Sequence, residues 1–195
     1  DSKTPAKSDP DRLHSSNPTY ITNMDNQTFA KTVLIPELVG AGLEPVQGNT
    51  TDAEEIYATR PGWYDLLSEI LRPRTTVSPD VIEKSRFLYE GANVTLDQKS
   101  VEKGLTKDAA QSATVLAAAK TALEGVSEDE WKAAAIDAAL EVLPEQLDLK
   151  KRIVFQSIRV AECGNMVSPP LGESMELLGR EVCLARLDRA LELCK

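Results

Sequence analysis

The stretch Pro61-Gly62-Trp63-Tyr64-Asp65-Leu66-Leu67-Ser68-Glu69-Ile70-Leu71-Arg72-Pro73 decides the fold class. Trp63, Leu66, Leu67, Ile70 and Leu71 fall at three- and four-residue spacings, which put them on one face of an α-helix, and Pro73 cannot continue it. The same grammar recurs in both directions. Upstream, Asp25 precedes a run in which Phe29, Val33, Leu34 and Leu38 share a face, with Pro36 as a kink and Gly40 as a stop. Downstream, Ser78-Pro79-Asp80 reads as an N-cap with proline at the first helical position, and the helix runs to Tyr89 and ends at Gly91. Thr106 is placed to cap an Ala-rich helix to Leu123, and Ser127 with Glu130 forms a capping box ahead of Trp131. Lys150 to Cys163 forms a helix closed by Gly164; a loop from Asn165 to Ser168 then leads to two short helices separated by Gly179. Strand-type alternation is nearly absent, so the sequence predicts an all-α fold.

The 195 residues suffice for one domain or for two small helical subdomains. Two are expected: a linker over 1–24, a first subdomain over 25–105 and a second over 106–195. A hydrophobic share of 42% with 27% charged residues suits a soluble globular protein, and no apolar stretch approaches the roughly 18 residues of a membrane span. Asp1 to Asp11 lacks the basic-then-apolar order of a signal peptide, which makes a cytoplasmic location the expectation. Cys163, Cys183 and Cys194 show no paired spacing and are expected to be reduced. The triplets beginning at Asn26, Asn49 and Asn93 match the glycosylation pattern but stand without other signs of export.

A catalytic site finds no support in the residues. The single histidine, His14, has no Cys or Ser constellation around it, the glycines are scattered as helix stops, and metal-ligand spacing is absent. Glu128, Asp129 and Glu130 read as first-turn residues favoured by the helix dipole. No catalytic residue, metal or cofactor is therefore expected within the chain. The net charge of −9 excludes a nonspecific nucleic-acid binder, so any RNA contact must be local. Arg72, Arg74, Lys84 and Arg86 form one basic group, and Lys150, Lys151, Arg152 and Arg159 another. Three cations at a helix start stand against the dipole, which favours a phosphate-facing role. Trp63 and Trp131 lie on apolar faces and are read as core residues.

From Val154 the chain continues Phe155-Gln156-Ser157-Ile158-Arg159-Val160-Ala161, then Val167-Ser168-Pro169-Pro170-Leu171, Glu173-Ser174, Leu177-Leu178-Gly179-Arg180-Glu181 and Leu184-Ala185-Arg186-Leu187. This order and spacing resemble the C-terminal anticodon-binding region of bacterial-type glutamyl-tRNA synthetases. Arg72-Pro73-Arg74 with Ile82 to Tyr89 resembles the same family's other anticodon-arm element, and Asp9-Pro10, Leu13, Asn17, Tyr20 and Ile21 resemble its upstream joining segment. The resemblance implies a helical cage of two subdomains around the anticodon loop of tRNA(Glu). It places base contacts on Arg74, beside Arg72 in the Arg-Pro-Arg element, and on Gln156, Arg159, Ser168, Pro169 and Leu171. Guanidinium planes and a rigid proline turn suit unstacked bases, which are read by their edges and faces. An arginine at the position of Arg74 would help read the last anticodon base and separate tRNA(Glu) from tRNA(Gln). Ser168-Pro169 would also cap the next helix and favour a phosphate there.

The resemblance further implies a partner catalytic domain in the same synthetase, where ATP would drive attachment of glutamate to tRNA, and a monomeric enzyme. Departures stand at Ser8 and Ser15, where the family carries Phe and Trp. Serines there suit a chain separated from its upstream domain, because exposed aromatics invite association. Thr22 replaces a common Arg, Gly172 a common Phe and Cys163 a common Thr. These losses and the acidic charge define an alternative: a helical scaffold or protein-interaction domain that has lost RNA binding.

Overall fold

The computed structural model describes residues 18–195. The joining-segment positions Asp9, Pro10, Leu13 and Asn17, the lone His14, both serine departures and most of the 1–24 linker lie outside the described residues. Within them every regular element is helical. The described residues divide into two compact units, the first ending at Lys84 and the second over 85–195.

In the first unit α1 (Pro18–Asn23) precedes α2 (Asn26–Phe29), a π turn (Ala30–Leu34) and α3 (Ile35–Gly40). Asp25 caps α2 as its sequence position predicts, its carboxylate accepting from Thr28 N–H at 2.7 Å. Pro36 does not break the run. The turn before it widens, Ile35 N–H reaching back five residues to the Ala30 carbonyl, and the proline sits where the regular ladder restarts without needing its missing N–H. Asp52 caps α4 (Ala53–Thr59) through Glu54 and Glu55 N–H, and α5 (Pro61–Leu71) follows. Phe29, Val33, Leu34 and Leu38 are buried as predicted, with Leu67, Ile70 and Leu71 from α5.

The buried face of α5 is rotated relative to the sequence pattern. Tyr64 is 1% exposed whereas Trp63 is only half-buried, with the Arg60 guanidinium 3.7 Å over its ring. A phenol can be buried where its hydroxyl finds a partner, and here it is Glu44. The Glu44 carboxylate accepts from Tyr64 O–H at 2.9 Å, Arg60 at 2.9 Å and Val46 N–H at 3.0 Å. The polar loop after Gly40 is thereby fastened to α5. A short 3₁₀ turn (Arg72–Arg74) ends the helix.

The helix predicted from Asp80 to Tyr89 changes character midway. α6 (Asp80–Ser85) gives way to a 3₁₀ turn (Arg86–Tyr89). The division at 105/106 expected from sequence falls inside the second unit's core, where Phe87, Val94 and Leu105 share one buried cluster with Leu116, Trp131, Ile158 and Leu187. α7 (Gln98–Val101) and a π turn (Glu102–Thr106) lead to the Ala-rich α8 (Ala109–Glu124). Asp108, not Thr106, caps α8, accepting from Gln111 N–H at 3.1 Å, because Thr106 still belongs to the π turn.

The predicted capping box at Ser127 and Glu130 is replaced by a 3₁₀ turn (Glu128–Glu130), and Ser127 makes no side-chain cap bond. α9 (Ala133–Glu141) begins later and receives its cap from a distant segment. The Glu176 carboxylate accepts from Ala133 N–H at 2.8 Å, and Trp131 is buried with its indole N–H on the Met175 carbonyl at 2.8 Å. After α10 (Leu143–Leu147) come α11 (Lys151–Cys163), α12 (Leu171–Leu178) and α13 (Arg180–Leu193). Of the two helices predicted as short after the loop, α13 runs for 14 residues.

Two features fix the end of α11. Gly164 lies at φ 78°, and a Cβ there would stand 2.0 Å from the Thr95 carbonyl oxygen, so only glycine fits. Arg186 of α13, 1% exposed, donates to the carbonyls of Phe87 at 2.6 Å, Gly91 at 2.7 Å and Glu162 at 2.6 Å. Glu162 is itself fully buried, and neither carboxylate oxygen has a nitrogen or oxygen partner among the described residues. Burial pushes the Glu162 carboxyl well above its ordinary value near 4.5, and the Arg186 guanidinium and Cys183 thiol pull it back only in part.

Folding therefore favours the protonated acid, and the charged form of Glu162 costs stability as pH rises above the unfolded value. Glu162→Gln, which keeps the shape without the charge, is expected to gain thermal stability over the natural chain by a margin that widens from pH 5 to pH 8. Parallel melting curves at the two pH values check this; a constant margin would mean that Glu162 does not change its proton affinity on folding.

Candidate nucleic-acid interface

The Arg-Pro-Arg element occupies the turn that closes α5. Arg72 is half-buried and donates to the Asn26 side-chain oxygen, so it ties this turn back to α2. Arg74 is exposed. One of its terminal nitrogens donates to the Ile70 carbonyl at 2.7 Å, a cation on the orphan carbonyls of a helix C-terminus. Lys84 donates to the Arg74 carbonyl. Asp80 accepts from Thr76 N–H at 2.8 Å and Val77 N–H at 3.0 Å, bonds that hold its carboxyl below the ordinary range and fix the segment following Arg74.

The second group assembles in the 85–195 unit, where α11 and the turn after Gly164 bring Gln156, Arg159, Ser168 and Pro169 together. Arg159 donates to the Ser168 hydroxyl oxygen and, at 3.0 Å, to the Pro169 carbonyl. The Gln156 amide approaches the Met166 sulfur. The turn is held from beneath by residues that sequence reading did not single out. Asp97 N–H donates to the Gly164 carbonyl at 2.8 Å, and the Asp97 carboxylate accepts from the Ser100 hydroxyl at 2.7 Å. The Ser100 oxygen accepts from Met166 N–H at 3.2 Å, and the Asn165 side chain accepts from Val167 N–H at 3.1 Å. Asn165 directly after a left-handed glycine was the one local signal for this arrangement.

Exposure separates the predicted residues. Pro169 is buried and Leu171 is 5% exposed, so their side chains belong to the core, and the outer surface of the turn is formed instead by Val167 at 84% exposure. Ser168 does not cap α12. Its hydroxyl donates to the Pro169 carbonyl at 2.7 Å, and the residue at the cap position is Pro170, with no side-chain bond. Trp131 is likewise enclosed and offers no stacking face.

Gly172 has a packing reason. A Cβ at this position would lie 2.3 Å from an Asp137 carboxylate oxygen of α9. Asp137 has its carboxyl raised by burial, then by the neighbouring Glu173 and Glu141 charges, with Lys151 opposing. Cys163 is also inward-facing, its thiol pushed up to about 11 by burial, and all three cysteines are free and buried. No group of metal-ligating side chains occurs among the described residues, and no helix there is long and apolar enough to cross a membrane.

The family described as the anticodon binding domain matches residues 37–191, and the chain belongs to that family. It is 37% identical over 187 residues to a glutamate–tRNA ligase of Saccharopolyspora erythraea, covering 95% of this chain and 34% of that protein. A glutamate–tRNA ligase of Mycolicibacterium vanbaalenii is 38% identical over 188 residues, with 94% and 34% covered. The chain thus spans about a third of the length of these relatives. A solved structure of a glutamate tRNA ligase from Elizabethkingia meningosepticum shares the fold at a TM-score of 0.70, with 18% identity over 92% of this chain and 31% of that one.

The Gly172–Asp137 contact predicts coupled substitutions. Gly172→Phe, which installs the bulkier residue of the resemblance, should destabilise the chain by about 1–3 kcal/mol through overpacking. Adding Asp137→Gly should recover part of the loss, a non-additivity measurable in a double-mutant cycle of denaturant midpoints.

Proposed function

We propose that this chain recognises the anticodon of tRNA(Glu) as the anticodon-binding part of a glutamyl-tRNA synthetase. The catalytic part, which uses ATP to attach glutamate to tRNA, lies in the remainder of the enzyme, and the whole acts as a monomer in the cytoplasm. No metal or cofactor enters the role of these residues.

The observation that carries the reading is the clamp on Arg159. A guanidinium held by the Ser168 hydroxyl and the Pro169 carbonyl is fixed before any ligand arrives, so little side-chain freedom is lost on binding. Its neighbour Gln156 adds amide donors and acceptors of the kind that discriminate base edges. Pro169 and Leu171 act through the backbone they hold, and Arg72 acts by anchoring the turn that carries Arg74. Arg74 is the outward-facing member of its element and reads the last anticodon base. Family membership and the relatives, each a glutamate–tRNA ligase, support the same assignment.

Anisotropy titrations with anticodon stem-loops of tRNA(Glu) and tRNA(Gln) test it. The natural chain should prefer the former, and Arg74→Gln should relax discrimination at the last anticodon base, a bidentate contact being worth about 1–3 kcal/mol. Equal weakening on both stem-loops would make Arg74 a phosphate contact. Absence of binding to either would leave the chain as a helical scaffold.

A further inference from the structure

The Gln156–Arg159 pair is the end of a longer row. Residues at i, i+4 and i+7 of a helix share one face, and Arg152, Gln156 and Arg159 have this spacing on α11. The row lies on the opposite side of the helix from the buried stripe Val154, Ser157, Ile158 and Ala161. Gln156 and Arg159 are half-buried where the 165–170 turn closes over them, whereas Arg152, about 10 Å further along the axis, is exposed.

Arg152 also differs in having no work within the fold. It makes no hydrogen bond, ion pair or ring contact among the described residues, whereas its neighbour Lys151 stands 3.9 Å from Glu141 and 5.6 Å from the Phe155 ring centroid. Arg152 sits in the first turn of α11, with Lys150 at the cap and no acidic residue in that turn to offset it. Cations there oppose the helix dipole, so Arg152 costs stability that no acidic side chain among the described residues returns by pairing with it. An anion from outside would return it.

We infer that Arg152 is a further RNA contact, which takes a backbone phosphate of the strand whose bases Gln156 and Arg159 meet. This rests on the anticodon-binding reading above. The division of labour along the row follows from burial. The two half-buried side chains are held in place and suited to base edges, whereas the exposed arginine is suited to a phosphate, which demands charge more than precise direction. In a chain of net charge −9 such a contact also sets the RNA against one local basic strip.

The experiment measures binding of the whole chain to the two anticodon stem-loops across a range of salt concentrations. Arg152→Gln should weaken both complexes severalfold and to the same degree, and should lower the slope of log K against log salt by about 1. Arg152→Lys should keep the slope and the melting curve of the natural chain, and Arg152→Gln should melt no lower than it, because Arg152 loses no partner among the described residues and its charge opposes the helix dipole. Unchanged affinity and slope in Arg152→Gln, with the natural chain still preferring tRNA(Glu), would overturn this inference and leave the anticodon reading standing. A change confined to one stem-loop would make Arg152 a base reader and overturn the phosphate assignment. Failure of the natural chain to bind either RNA would remove both.

Discussion

One guanidinium organises the second unit. Arg186 is enclosed and spends its donors on three main-chain carbonyls, one in the 3₁₀ turn at Phe87, one at Gly91 and one at Glu162 near the end of α11. Groups of this kind must be paired when they leave water, because each unmade bond to a buried charge costs several times what a made one contributes. The three carbonyls therefore cannot drift apart without stranding the arginine. The last turn of α11 is pinned as a result, and the residues that follow it, Gly164 to Pro170, start from a fixed point.

That fixed point lets a short loop hold a precise shape. Gly164 can approach the Thr95 carbonyl because it lacks a Cβ, and Asp97, Ser100 and Asn165 then satisfy the polar groups of the turn in sequence. Arg159 reaches into the finished turn from the preceding helix. Its placement is thus a product of backbone constraints on both sides, which is how a loop acquires the rigidity of a helix while keeping its outward surface available. The Arg-Pro-Arg turn of the first unit is built on a different plan, with Arg72 as its anchor and a helix C-terminus as the seat of Arg74.

Helix periodicity and helix stops were legible from sequence because they are local. Asp25, Gly40, Gly164 and Gly179 mark element ends where their residue types predict. What sequence misread was settled at a distance. The N-terminus of α9 is capped by Glu176, forty-three residues downstream, so no spacing rule around Ser127 could locate it. Tyr64 displaced Trp63 from the core of α5 because Glu44, twenty residues upstream, supplied its hydroxyl with a partner. At the candidate interface the pattern marked a turn but not which of its side chains face outward. Pro169 and Leu171 are enclosed, Val167 is the outward residue, and Gly172 is explained by Asp137 across the helix pair rather than by a missing ligand contact.

The enclosed cysteines carry a consequence for handling the protein. A thiol whose ionisation is pushed up to about 11, as at Cys163, is almost wholly protonated near neutrality, and the thiolate is the reactive species. Cys183 is likewise raised, first by burial and then by Glu162 beside it, and Cys194 is raised by burial. All three are distributed along the final stretch of chain, one closing α11, one inside α13 and one at its end. Enclosed, protonated thiols of this kind are expected to react slowly with sulfhydryl reagents while the packing holds. Any opening of those segments becomes visible as a modification rate, which gives the second unit its own built-in probes of local motion without a single introduced label.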